Sequence, residues 1–127
     1  MFKSTSLILS AVMVLLFVGC QFKPKGDAEL IKDGYASAIS GNESFTVVVD
    51  KSKLRDELKV QGVPDNYTYR ITSKNLLMSE KYKNCTASFD KVYGDWATIS
   101  QNCGNQEIDG ISYMKKENGI WKVPVHE

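Results

Sequence analysis

Histidine is nearly absent from this sequence, and charge of neither sign predominates. One histidine, His126, occurs in 127 residues, and 16 basic and 15 acidic side chains leave a formal net charge of +1. Nucleic-acid-binding proteins normally carry a basic excess or a basic stripe, so this balance argues against that class. His126 is next to last in the chain, where termini fray, so we expect an exposed tail residue rather than a general base.

The sequence motifs of common catalytic sites are also missing. The chain has no Gly-x-Ser-x-Gly, no phosphate-binding glycine loop and no His-Glu-x-x-His. The composition is otherwise that of a globular protein, and its aromatic and branched apolar residues argue against disorder. The length allows one domain with a thin core. We therefore expect a non-enzyme without cofactor or metal.

The N-terminus resembles the signal of bacterial lipoproteins. Lys3 supplies a positive charge, and residues 7–18 form an apolar run that is too short to span a bilayer comfortably. Gly19-Cys20 follows at once, which resembles the lipobox of that family, although Phe17 stands where the family prefers leucine. The resemblance implies cleavage before Cys20 and acylation of its thiol and amine. The alternatives are a soluble secreted protein cut elsewhere and an uncleaved N-terminal anchor.

The same resemblance implies a location and a division of the chain. Residues 1–19 would be the signal peptide, residues 20–26 a short lipidated tether and residues 27–127 a single domain. Several acyl chains together anchor a protein stably, whereas one chain is marginal. In enteric-type bacteria an Asp after the lipidated cysteine retains a lipoprotein in the inner membrane, and Gln21 stands here instead. The outer membrane, with the domain facing the periplasm, is therefore the expected location.

Two cysteines, Cys85 and Cys103, remain once Cys20 is lipidated. Exported domains favour disulfides, so we predict a structural bridge between them. A metal site is the first alternative, but zinc sites need four ligands and the chain has one histidine. A redox pair is the second, but the chain has no Cys-x-x-Cys.

The predicted hairpin around these cysteines supports the bridge. Residues 82–89 and 97–102 are strand-like, and a turn signal lies at 93–95 between them. A three-residue loop opposes Val92 to Trp96, and the same register places Cys85 opposite Cys103. Opposed residues of an antiparallel pair bring their Cβ atoms within about 4.5–5.5 Å of each other.

Hydrophobic periodicity predicts an α+β fold, in which one or two helices pack on an antiparallel meander with one disulfide. Residues 27–40 show a helical stripe, with Asp27 as the expected N-cap and Gly41 just past the end. The further expected elements are a strand at 45–49, a short helix at 53–61, a strand at 67–72, a polar loop at 105–110, and strands at 111–116 and 120–125. Residues 76–78 either extend the strand at 67–72 or start another. Asn118-Gly119 joins the last two strands and is the strongest short hairpin signal in the chain.

The C-terminal hairpin resembles that of small exported domains with nuclear-transport-factor-two-like or cystatin-like folds. Those domains often end in Asn-Gly-x-Trp-Lys-Val, and residues 118–123 match this form. The resemblance implies a cupped sheet that holds a ligand or a partner, and it transfers no catalytic residue.

Aromatic residues near the first hairpin are the candidate partner-binding surface. In the predicted register Trp96 lies on the sheet face opposite Cys85. If one face packs on the helix, Trp96 and Tyr93 are exposed on the other, where aromatic side chains mark binding surfaces.

Three classes of function remain open from the sequence. The first is a non-catalytic binding lipoprotein, such as an inhibitor, an immunity factor or an envelope accessory protein. The second is a structural or assembly subunit of an envelope complex, which needs a broad interface. The third is a small enzyme that uses the cup of the sheet, which needs a convergent set of polar groups. We favour the first because the size, the predicted disulfide and the tether fit it.

Overall fold

The structure is a computed structural model that describes residues 24–75, 78–104 and 110–127. In chain order the elements are α1 (Asp27–Ile39), a 3-10 helix (Glu43–Phe45), β1 (Thr46–Val48), α2 (Leu54–Val60), β2 (Thr72–Ser73), α3 (Met78–Lys81), β3 (Thr86–Tyr93), β4 (Trp96–Asn102), β5 (Tyr113–Glu117) and β6 (Ile120–His126). The predicted signal peptide, Cys20 and most of the tether lie outside the described residues, as does most of the predicted loop at 105–110.

The strands form one mixed sheet in the order β1-β6-β5-β4-β3. Strands β3 to β6 pair with their chain neighbours in antiparallel fashion, which confirms the α+β prediction and the meander. The short strands β1 and β2 were not expected in this arrangement, because both pair with β6 in parallel. Val125 of β6 pairs with Val48 of β1 and with Thr72 of β2.

Helix α1 covers one face of the sheet through the predicted stripe. Ile31, Tyr35 and Ala38 are buried there, in a core that also contains Trp121. Gly34 lies so close to the sheet that an added Cβ would overlap the carbonyl oxygen of Trp121. A glycine in the middle of this helix is therefore explained by the close approach of the helix backbone to β6.

The ends of α1 are partly as predicted. The N-cap is Gly26, not Asp27 as expected, and no side chain caps the helix. The Asp27 carboxylate instead accepts a hydrogen bond from the Trp121 indole nitrogen at 3.4 Å. This side chain therefore binds to strand β6 rather than capping its own helix. Gly41 has a φ of +92°, the left-handed conformation that favours glycine just past a helix end, as predicted.

Helix α2 covers the opposite face of the sheet and gives the protein a second core. Leu54 and Leu58, predicted at adjacent turns of this helix, are buried against Trp96 and Tyr113. Glu57 forms an ion pair with Lys115 of β5 at 2.8 Å, which links the helix to the strand beneath it. The sheet is therefore covered on both faces.

The strand predicted at 67–72 forms only at its last residue. Residues 67–71 have no regular secondary structure, and the strand that follows is only Thr72–Ser73. Tyr67, Tyr69 and Ile71 still point to one side, because they pack against the second core. Alternating apolar residues here reflect one-sided burial of a loop rather than pairing in a sheet.

The β3–β4 hairpin confirms the predicted disulfide by a different route. The turn has two residues, Gly94 and Asp95, so Tyr93 rather than Val92 pairs with Trp96. An irregularity between Phe89 and Lys91 adds one residue to β3, and Phe89 then pairs with Ile99 as predicted. The bulge cancels the shift made by the shorter turn.

The register restored by the bulge places the two cysteines opposite each other. A disulfide joins Cys85 and Cys103, whose Cα atoms are 4.0 Å apart. The second hairpin matches its prediction directly: Lys116 pairs with Trp121 across Asn118-Gly119, and both turn residues have positive φ.

The two hairpins give the sheet a turn end and a disulfide end. The turn end carries Gly94-Asp95 and Asn118-Gly119, because β4 and β6 both run away from these turns. The disulfide end carries Cys85 and Cys103. Helix α1 begins near Trp121, at the turn end.

Candidate functional site

The predicted aromatic surface is wrong for Trp96. Its side chain lies on the face opposite Cys85, as expected, but only 1% of it is exposed. Its ring packs edge-on against Tyr113, with ring centroids 5.2 Å apart. Helix α2 covers this face, so the assumption of one open face fails, and Trp96 is a core residue.

Tyr93 is half-buried and remains partly accessible beside the turn. The Lys91 ammonium lies 5.1 Å from the centre of its ring, a cation–π contact at the edge of the sheet. Phe89, four residues earlier on the same strand, is 39% exposed. Accessible aromatic area on this hairpin therefore comes from Phe89 and Tyr93.

Strand β3 is an edge of the sheet. It has eight residues and pairs with β4 on one side, and no other described strand pairs with it. An unpaired edge presents backbone donors and acceptors to solvent, and a bulge interrupts their regular spacing. The bulge residue Asp90 accepts a hydrogen bond from the Tyr67 hydroxyl at 2.9 Å.

Four buried polar atoms lack hydrogen-bond partners within the described part of the chain. They are the hydroxyls of Tyr69, Thr72 and Tyr113 and the indole nitrogen of Trp96. Tyr69 and Tyr113 are also ring neighbours, with centroids 6.4 Å apart. Burial, with a smaller contribution from Tyr69, raises the pKa of the Tyr113 phenol well above its ordinary value. Unpaired buried polar groups are costly, and several in one region are typical of a site that binds water or a ligand.

A cleft of about 300 Å³ adjoins this region at the disulfide end of the sheet. Three of its lining residues are basic and three others carry hydroxyl groups: Lys51, Arg70, Lys81, Tyr69, Thr72 and Tyr82. Lys51 follows β1, Arg70 precedes β2, and Lys81 ends α3. Sequence reasoning missed all of these residues, because they come from separate segments and match no motif.

A second cavity of about 360 Å³ lies beside the disulfide. Ala36, Ile39 and Ser40 from the end of α1 line it together with Lys83 and Cys85. The lining of this cavity is mainly apolar, and Lys83 is the one basic residue among its described lining residues. It therefore offers fewer specific contacts to a ligand than the first cleft.

His126 is not the frayed tail residue that its position suggested. It is half-buried in β6 and pairs with Ser73 of β2, while its carbonyl oxygen accepts a hydrogen bond from the Lys74 amide at 2.9 Å. The two short parallel strands hold this end of the chain. Its ring nitrogen Nδ1 lies 3.2 Å from the carbonyl oxygen of Glu127.

The described residues show neither a metal site nor a helix that could span a membrane. They contain no group of three or more histidine, cysteine or acidic side chains placed to bind a metal ion. Among them, no helix is both long and apolar enough to cross a membrane.

Comparison with known proteins gives no relative. No family model, no curated protein and no solved structure matches the chain. The resemblances to lipoproteins and to the small exported folds therefore remain predictions from the residues quoted above.

Proposed function

We propose that this protein is a lipid-anchored protein of the bacterial envelope, attached through Cys20 and facing the periplasm from the outer membrane. Its domain acts by binding a partner protein, as an inhibitor, an immunity factor or an envelope accessory protein, and it performs no chemistry of its own.

The observation that carries the proposal is the disulfide between Cys85 and Cys103. Disulfides persist in oxidising compartments and are rare in the cytosol, so the bridge supports export. The lipobox-like Gly19-Cys20 precedes the disulfide-bonded domain in the same chain. Export and a lipidation signal together favour the envelope over a freely secreted protein.

We assign the partner-binding surface to the outer edge of β3 and the hairpin tip. The disulfide and the two covering helices make this hairpin rigid, so binding costs little ordering of the chain. Phe89 and Tyr93 supply accessible aromatic area on the two sides of the edge strand. Aromatic anchors of this kind dominate many protein interfaces.

Lipid attachment is tested with Cys20→Ser expressed in a bacterium that processes lipoproteins. We expect unprocessed precursor, no incorporation of radiolabelled fatty acid and loss from the outer-membrane fraction. Ser4→Ala, outside the lipobox, is the matched control and should mature normally. Normal maturation of Cys20→Ser would overturn the anchor.

The binding surface is tested by placing a photoreactive amino acid at Phe89 or Tyr93 of the full protein in intact cells. We expect one discrete crosslinked protein from both positions. The exposed Lys32 on α1 is the control position and should give no such product. The same product from Lys32, or none from Phe89 and Tyr93, would contradict the assignment.

A further inference from the structure

The cleft at the disulfide end combines positive charge with buried hydroxyl groups. Lys51, Arg70 and Lys81 approach it from three separate segments, and none of its described lining residues is acidic. Within the described residues neither Lys51 nor Lys81 forms an ion pair, although Lys81 lies 5.4 Å from the centre of the Tyr82 ring. Such convergence concentrates positive potential in a partly enclosed space.

An independent observation comes from Thr72, which lines the same cleft. Its side chain is buried, with 4% of the residue exposed, and its hydroxyl has no hydrogen-bond partner in the described part of the chain. Tyr69 also lines the cleft, and its buried hydroxyl likewise has no hydrogen-bond partner among the described residues. A buried hydroxyl without a partner is energetically costly, and an acceptor bound in the cleft would offset that cost.

We propose that this cleft binds the oxyanion group, phosphate or carboxylate, of a small ligand. Lys51 and Lys81 supply the positive charge that both groups require. The hydroxyls of Thr72 and Tyr69 donate to the oxygens. A volume of about 300 Å³ admits a small molecule or the charged end of a larger one.

The position of the cleft indicates where the ligand comes from. Helix α1 begins at the turn end and is about 20 Å long, whereas the cleft lies at the disulfide end. If Cys20 is lipidated, as proposed above, the cleft faces away from the anchoring membrane. The ligand is then a solute of the periplasm rather than a lipid headgroup of that membrane.

The test is a titration of the mature protein, purified in neutral detergent, with inorganic phosphate and separately with acetate. Amide chemical shifts followed by NMR should change in a saturable way at Lys51, Thr72 and Lys81, and sodium chloride at matched ionic strength should not reproduce the change. The titration reports on the cleft whether or not Cys20 is acylated, so its failure is distinguishable from failure of the lipid anchor.

Variants separate a specific site from general attraction of anions. Lys51→Gln combined with Lys81→Gln should weaken binding at least tenfold, and Thr72→Val should weaken it several-fold without a fall in thermal unfolding temperature. Lys32→Gln, which removes an exposed lysine of α1 outside the cleft, should leave the affinity unchanged. Equal weakening by Lys32→Gln, or no saturable change with either anion, would overturn the proposal.

Vesicles distinguish the two sources of the oxyanion. The protein should bind neutral vesicles and vesicles with anionic phospholipid equally through its lipid anchor, with or without Lys51→Gln and Lys81→Gln. Dependence of binding to anionic vesicles on these two lysines would contradict the assignment to a soluble ligand.

Discussion

The hydroxyl of Tyr67 donates a hydrogen bond to the carboxylate of Asp90 across 2.9 Å. Tyr67 belongs to the loop that covers the second core, and Asp90 is the additional residue in the β3 bulge. The contact links this loop to the edge of the sheet. It gives the bulge a role in holding the loop as well as in setting the strand register.

Tyr67→Phe should lower the free energy of unfolding by about 0.5–1.5 kcal/mol, because it removes the hydrogen bond to Asp90 and the contact of the same hydroxyl with Thr98. Urea denaturation measures the change. Tyr69→Phe is the matched control, since the Tyr69 hydroxyl has no partner among the described residues, and it should cost nothing. An equal loss in both variants would show that the contact with Asp90 adds no stability.

Removal of the disulfide should destabilise the domain by about 3 kcal/mol, the chain-entropy value for a loop of 18 residues. The double variant Cys85→Ala with Cys103→Ala tests this by urea denaturation. Thiol counting on denatured, unreduced mature protein should also find no free thiol at these positions. Two reactive thiols would reject the bridge.

Trp96→Ala should destabilise the protein by about 3–5 kcal/mol, because it empties a large volume in the second core. Phe89→Ala, at an accessible position on the neighbouring strand, should cost much less. Thermal unfolding of both variants provides the comparison. If the unfolding temperature of Trp96→Ala is no lower than that of Phe89→Ala, the packing of Trp96 does not stabilise the second core.

Gly34→Ala should destabilise the fold although alanine favours helices by about 1 kcal/mol over glycine. The added methyl group would overlap the carbonyl oxygen of Trp121, so helix and sheet must separate. Gly26→Ala is the control, since an added Cβ there meets no atom within 4 Å. If Gly34→Ala instead raises the stability of the fold, helix α1 can move away from the sheet without loss of packing energy.

Tyr113→Phe should reduce the sensitivity of the fold to alkaline pH. Burial raises the pKa of Tyr113 above its ordinary value of 10.0, so the unfolded chain loses this proton first as the pH rises. Stability should therefore decline above about pH 10, and the decline should be shallower in Tyr113→Phe. Urea unfolding at pH 7, 10 and 11 measures it, with Tyr93→Phe as control. An unchanged decline would contradict the assignment to Tyr113.

The sequence predicts the elements that are formed by residues close together in the chain. The stripe of α1, the pair Leu54 and Leu58 in α2, and the Asn118-Gly119 turn all appear in the structure. The pairing of β1 and β2 with β6 could not be predicted, because it joins segments far apart in the chain and short strands leave little pattern.

The cysteine pairing was correct although the turn length was not. A two-residue turn moves the register by one, and the bulge at Asp90 moves it back. No residue pattern around Asp90 distinguishes a bulge from a regular strand. The prediction succeeded because these two departures cancel, which leaves the cysteines in the register that a three-residue turn without a bulge would give.

The cleft could not be predicted for a related reason. Lys51, Arg70, Thr72 and Lys81 are ordinary surface or strand residues when each is considered in its own segment. They meet only because β1 and β2 both pair with β6, which brings the segments on either side of α2 to one end of the sheet.

The position of β6 has a consequence for the order in which the protein folds. This last strand lies between β1 and β5 and also pairs with β2, so three earlier strands depend on it. During synthesis β1 and β2 have no partner until β6 has emerged from the ribosome. If the chain is exported, as proposed above, this delay keeps the sheet incomplete while the chain crosses the membrane.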